Sequence, residues 1–212
     1  MSESDPTVLV IDDDPEIRDS LRRLLQSVSL NARLFASVPD FLKSERPNGP
    51  TCLVLDVRLP GQSGLDFQRE LAAADIQIPI VFMTGYGNIP MSVQAMKGGA
   101  IEFLTKPYRK QDLIDAIQLG LARDRARREN EKMVATLKAR FDALTRRERE
   151  IMTQVVQGRL SKQIAFDFGI SDVTVKVHRS NMMRKMSVRS LFELGRMADK
   201  LGLLTERPSA PK

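Results

Sequence analysis

TVLVIDDDPEIR, residues 7–18, decides the fold. Five β-branched or apolar residues run into three aspartates, and Asp14-Pro15 then opens a helix as N-cap and first helical residue. Ile17, Leu21, Leu24, Leu25 and Val28 follow at helical three-to-four spacing. Working outward, the same alternation recurs, with apolar runs at 32–35, 51–55, 79–83 and 101–104 separated by amphipathic segments. Five strands alternating with helices predict an α/β, doubly wound five-stranded parallel sheet covered on both faces. About 120 residues suffice for such a domain with its own core.

The pattern changes after Lys110. Leu113, Ile114, Ile117 and Leu121 keep a helical period, which passes into ARDRARRENEK, an almost wholly charged stretch without Gly or Pro. That stretch is expected to be a solvated helical linker over 123–140, after a first domain over 1–122. Apolar positions return at Val134, Leu137, Phe141 and Leu144, and from 141 to 204 every pattern is helical. Thr145-Arg146-Arg147-Glu148 is a capping box, Gly158 a stop, and Gly169-Ile170-Ser171 a tight turn between two helices. These signals predict an all-α four-helix domain with a helix-turn-helix. Residues 205–212 are expected to be a disordered polar tail.

Composition narrows the function classes. The 212 residues carry a net charge of +6, which conceals an imbalance. Residues 1–122 hold 12 Lys and Arg against 16 Asp and Glu (−4), whereas residues 123–212 hold 21 against 11 (+10). A strongly basic half faces a polyanion. No apolar run approaches the roughly 18 residues of a membrane span, and no basic n-region precedes the first short apolar stretch. Cys52 is the single cysteine, which leaves no internal disulfide and no cysteine-cluster metal site. Its expected role is strand packing. A reducing, cytoplasmic setting is expected, with no membrane partner.

In an open parallel sheet, functional groups collect at the carboxyl ends of the strands. Here those ends carry Asp12, Asp13 and Asp14, then Asp56, Thr84 and Lys106. Crowded carboxylates repel one another unless a cation is present, and an all-oxygen set favours Mg²⁺. The chain has no GxxxxGK, and its one histidine, His178, lies in the basic half. On that reading the protein accepts phosphate and does not generate it.

VLVIDDDPEIR, LVLDVRLPGQSG, FMTGYG and EFLTKP together resemble the four motifs of bacterial response-regulator receiver domains. The resemblance covers about residues 6–120 and implies a flavodoxin-like fold. It implies that Asp56 is the phosphoacceptor of a two-component phosphorelay, served by a sensor histidine kinase. Asp13, Asp56 and the backbone carbonyl of Arg58 would hold Mg²⁺, with Asp12 acting largely through water. Thr84 and Lys106 would meet the phosphoryl oxygens, and Phe103 would stand at the rotamer-switch position. Pro107 would follow a cis bond. In related receivers the segment corresponding to 91–121 forms a homodimer on phosphorylation.

LTRREREIMTQVVQGRLSKQIAFDFGISDVTVKVHRSNMMRKM, residues 144–186, resembles the LuxR-type helix-turn-helix of NarL/FixJ response regulators. Where most relatives have Asn before the KxIA lysine, this chain has Ser161. On the recognition helix, Val175, Met182 and Met186 recur at core spacing, opposite Val173, Lys176, Val177, Ser180 and Arg184. Double-stranded DNA is the expected partner. Lys176, Val177 and Ser180 would stand at base edges, and Lys162, Thr174, Arg179, Arg184 and Lys185 at phosphates. RNA polymerase is a further candidate contact.

The leading expectation is thus a DNA-binding transcription regulator switched by phosphorylation, and not an enzyme. Two alternatives are a Mg²⁺-dependent aspartyl phosphohydrolase and a constitutive DNA-binding regulator with a degenerate receiver. The first lacks a visible substrate domain. Against the second stands the intact set of Asp13, Asp56, Thr84 and Lys106.

Overall fold

The computed structural model describes residues 5–203. The tail expected over 205–212 lies outside the described residues. The chain divides into two compact units between Arg128 and Glu129.

In the first unit the elements run β1 (Thr7–Ile11), α1 (Pro15–Ser27), β2 (Asn31–Phe35), α2 (Val38–Lys43) and β3 (Thr51–Asp56). A small hairpin follows, β4 (Arg58–Leu59) and β5 (Gln62–Ser63), then α3 (Gly64–Ala73), β6 (Ile80–Thr84), α4 (Ile89–Lys97), β7 (Glu102–Thr105) and α5 (Lys110–Asp142). The parallel five-stranded sheet has the order β2-β1-β3-β6-β7, a flavodoxin-like winding. Strand alternation sorts two cores. Leu9, Ile11, Leu53, Leu55 and Phe82 face one way, against Phe41 of α2, Phe67 of α3 and Ala95 of α4. Val8, Val10, Cys52, Val54, Val81 and Met83 face the other, against Leu21 and Leu25 of α1 and Leu113 and Ile117 of α5. Each such fully buried large side chain contributes about 1.5–3 kcal/mol.

Asp14 caps α1, accepting from the backbone N–H groups of Glu16 and Ile17. The Lys106–Pro107 bond is cis.

Two details differ from the sequence reading. The β4–β5 hairpin is too short to leave a periodic signal. The charged segment after Leu121 is helical, but it is not wholly solvated: Asp124 and Leu137 are buried. Asp124 accepts from the backbone N–H of Thr51 at 2.8 Å and from Arg128 Nε at 2.6 Å, and is also bonded to Arg127. Arg128 in turn donates to the carbonyl of Asn48 at 3.1 Å. Buried charge must be paired, and the sequence shows only an acid among arginines.

The second unit contains α6 (Arg146–Val156), α7 (Ser161–Phe168), α8 (Asp172–Met186) and α9 (Leu191–Lys200), joined by the end of α5. Its core collects Leu144, Ile151, Met152, Val155, Ile164, Val175, Met182, Met186 and Leu194. Thr145 and Glu148 complete the capping box of α6, Gly169 closes α7 at φ +62°, and Ser171 caps α8.

Candidate functional site

The carboxyl ends of β1, β3, β6 and β7 bring one polar cluster together. Asp12 is fully buried and Asp56 nearly so, and Lys106 Nζ lies 3.2 Å from an Oδ2 of each. The other oxygens are committed: Asp12 Oδ1 accepts from the N–H of Asp14 at 2.9 Å, and Asp56 Oδ1 from the N–H of Arg58 at 2.9 Å. One ammonium therefore bridges two carboxylates from non-adjacent parts of the chain. Burial pushes the Asp12 carboxyl above its ordinary value, against the pull of the Asp14 N–H and of Lys106. For Lys106, burial acts downward but is outweighed by the charges and hydrogen bonds of Asp12 and Asp56, so its ammonium is held above the usual value.

Thr84 is buried at the end of β6, its Oγ1 accepting from the N–H of Tyr86 at 3.2 Å. Phe103 is half-buried and packs on Phe82, with ring centroids 6.2 Å apart.

Asp13 is not drawn into the pair; its side chain is exposed. Among the described residues no group of three His, Cys, Asp or Glu side chains stands close enough to hold a metal ion. Of the three aspartates that follow β1, Asp12 is buried at the sheet end, while Asp13 and Asp14 are exposed beside it. Two carboxylates still suit Mg²⁺, which takes one or two from a protein and completes its shell with water and phosphate. Arg58 is exposed, its guanidinium 4.2 Å from the Tyr86 ring centroid.

Sequence reasoning overlooked two close approaches. A Cβ on Gly64 would lie 2.3 Å from the carbonyl oxygen of Asp56, so only glycine lets α3 start there. One on Gly87 would lie 2.9 Å from Phe103 Cε1 and 3.3 Å from Thr84 Cγ2. Both glycines stand in the quoted motifs, but their reason is spatial.

In the second unit α8 divides as its spacing predicts. Val175, Met182 and Met186 are buried, while Val173, Lys176, Val177, Ser180 and Arg184 are exposed. Lys176 Nζ pairs with Asp172 at 2.7 Å, and Arg184 donates to Asn181 at 3.2 Å. Lys162 is exposed on α7. Half-buried Arg179 donates to Ser161 Oγ at 2.7 Å, tying α8 to α7, and Thr174 Oγ1 lies 2.8 Å from Ser171 Oγ. His178 is half-buried.

Lys185 already has a partner within its own unit. Its ammonium lies 2.7 Å from Glu148 Oε2, and that carboxylate is buried and also accepts from the N–H of Thr145. Burial alone would raise Glu148, but Lys185 and Thr145 outweigh it and hold the carboxyl below its ordinary value. Lys185 is therefore a counter-ion of Glu148, and it would have to leave or share that carboxylate to meet a phosphate. Arg147 was not singled out from sequence. It stacks on Phe168 at 4.1 Å and donates to that residue's carbonyl at 3.2 Å, bracing the turn before α8.

Each unit matches a known protein family. Residues 8–118 match the response regulator receiver domain, and residues 142–198 the luxR family of bacterial regulatory proteins. The chain is 50% identical over 196 residues to nodulation protein W of Bradyrhizobium diazoefficiens, covering 92% of this chain and 86% of that protein. It is 40% identical over 211 residues to transcriptional regulatory protein FixJ of Azorhizobium caulinodans, covering 100% of both. The solved structure of the response regulator StyR matches with a TM-score of 0.85 and 46% identity, over 93% of this chain and 100% of that one. The chain accordingly belongs to the DNA-binding two-component response regulators of the NarL/FixJ type, with a receiver domain followed by a LuxR-type domain.

Proposed function

We propose that Asp56 accepts a phosphoryl group from a phosphohistidine of a sensor kinase, and that this switches the DNA binding of the second unit. The observation that carries the reading is the single Lys106 ammonium shared by Asp12 and Asp56 at 3.2 Å. Phosphoryl transfer chiefly needs in-line positioning and neutralised oxygens. The Asp56 carboxylate attacks phosphorus while the phosphorus–nitrogen bond breaks and the imidazole leaves. Lys106 can exchange its carboxylate partner for the incoming phosphoryl oxygens, and the Thr84 hydroxyl stands at the neighbouring strand end. Asp13, Asp56 and the backbone carbonyl of Arg58 would hold Mg²⁺, with Asp12 acting largely through water. When bound, the ion supplies positive charge against the phosphoryl oxygens.

The response is a homodimer through α4, β7 and α5, supported by exposed Ile89, Val93 and Met96 at helical spacing along α4. On DNA, Lys176, Val177 and Ser180 read bases, while Lys162, Thr174, Arg179 and Arg184 stand towards phosphates. Among the described residues no helix is long and apolar enough to cross a membrane, and the protein acts in the cytoplasm.

The test is phosphoryl incorporation from a small acyl phosphate with and without Mg²⁺, followed by intact mass. Wild type gains one phosphoryl group in a Mg²⁺-dependent way, and Asp56→Asn gains none. Undiminished labelling of Asp56→Asn overturns the assignment.

A further inference from the structure

The second unit holds a groove of about 420 Å³ between the end of α5 and α9, away from α8 in sequence and containing none of the residues assigned to DNA. Its apolar lining is buried Leu137, half-buried Met197 and half-exposed Met133, and its basic lining includes exposed Lys132, Arg196 and Lys200. Arg140 also lines it, donating to the carbonyl of Met186 at 3.3 Å. Glu193 is the one acid in the lining, and its Oε2 already accepts from the backbone N–H of Arg189 at 2.8 Å. Lys200 Nζ rests 2.9 Å from Met133 Sδ, a weak acceptor for an ammonium.

We propose that this groove is a docking site for an acidic amphipathic helix of a partner protein. The two methionines are unbranched and polarisable, so the apolar lining can adapt to leucine or phenylalanine anchors from such a helix. The basic stems widen the apolar surface while their charged ends stay in water. Four cations against one committed carboxylate select an acidic partner and repel a basic one. A second copy of this unit brings the same basic lining and is disfavoured. A phosphate backbone would satisfy the cations but leave the methionines without an apolar partner. The inference goes beyond the phosphorelay reading and does not depend on Asp56.

The probe is a fluorescein-labelled peptide of ~14 residues, with leucines at helical i, i+3, i+4 and i+7 spacing and glutamates opposite. It is titrated by anisotropy against the full chain. The amphipathic peptide is expected to bind, and a scrambled peptide of equal composition to bind at least about tenfold more weakly, a difference of about 1.4 kcal/mol. Lys132→Glu combined with Arg196→Glu is expected to weaken binding by at least about tenfold. Met133→Ala, at a half-exposed position, lowers affinity without reversing charge. Lys132→Gln with Arg196→Gln gives an intermediate loss, and thermal melting of each variant confirms that it is folded. The proposal is overturned if neither peptide binds, if the scrambled peptide binds equally well, or if charge reversal leaves binding unchanged. It is also overturned if duplex DNA displaces the peptide and the charge-reversed variant loses duplex affinity to the same degree, since the groove would then be a phosphate-contact face.

Discussion

Lys185 shows how one side chain changes meaning when its neighbour is known. On a helical wheel it reads as a cation at the end of the recognition helix, but 2.7 Å away Glu148 is buried at the start of α6. Removing the ammonium strands a buried carboxylate, a loss of about 1–3 kcal/mol. Lys185→Ala is therefore expected to lower the melting temperature of the second unit. It should weaken DNA binding only as far as unfolding does. Urea denaturation followed by DNA titration at a fully folded condition separates the two, and a direct phosphate role predicts lost affinity with unchanged stability. Lys106 is the opposite case. Its ammonium in EFLTKP stands out in the sequence because three other strand ends carry polar groups, whereas the placement of one cation between two carboxylates is visible only in the structure.

At the scale of elements, α5 and α8 carry the predictions. Asp124 anchors α5 to the start of β3 through Thr51 and to its own next turn through Arg127 and Arg128. Burial acts to raise this carboxyl, but the two guanidiniums and the Thr51 N–H outweigh it and hold it below 3.8. A carboxyl depressed in the folded state stabilises fully above its ordinary pKa, and that contribution is lost as the pH falls through the folded value. Asp124→Asn is expected to melt at a lower temperature than wild type around neutral pH. The gap should narrow once the pH falls below 3.8, and a gap independent of pH would remove the ionised carboxylate from the account. The same charge and the burial of the site push the Cys52 thiol up to about 12, with burial the larger cause, which keeps it inert.

For α8, the exposed row of Lys176, Val177 and Ser180 predicts that Lys176→Ala costs roughly 1–3 kcal/mol on a specific site and relaxes one base position. Lys162→Ala instead weakens binding to every sequence and flattens the salt slope by about one unit. A salt titration on specific and random duplexes checks both. Equal losses of Lys176→Ala on the two duplexes would move that lysine to the phosphate set. The row itself was readable from sequence, since Val175, Met182 and Met186 define the buried side by spacing alone. The Asp172 partner of Lys176 lies four residues earlier on the same helix, a pairing that must be broken before the lysine meets a base.

At the scale of the whole molecule, an acidic half (residues 1–122) and a basic half (residues 123–212) share one chain. Phosphorylation is expected to double the sedimenting mass, because a twofold dimer matches half-sites about one helical turn apart on a pseudo-palindromic site. Sedimentation of the unmodified and phosphorylated chain checks this. An unchanged mass would sever the link between Asp56 and dimerisation.

Local pattern was enough to establish five strands alternating with helices, the caps at Asp14 and Thr145, the buried and exposed sides of α8, and the charge imbalance between halves. Each of these depends on residues a few positions apart, which periodicity and capping chemistry report directly. Contacts between residues far apart in sequence were decided only by the tertiary structure. The Lys106 bridge from β7 to Asp12 and Asp56, Asp124 under β3, Glu148 against Lys185, and Gly64 beneath the Asp56 carbonyl all join separate elements. A charged residue looks the same in a sequence whether water or a buried counter-ion surrounds it. Folding chooses between the two, because taking a charge out of water is tolerable only where another part of the chain arrives to pair with it.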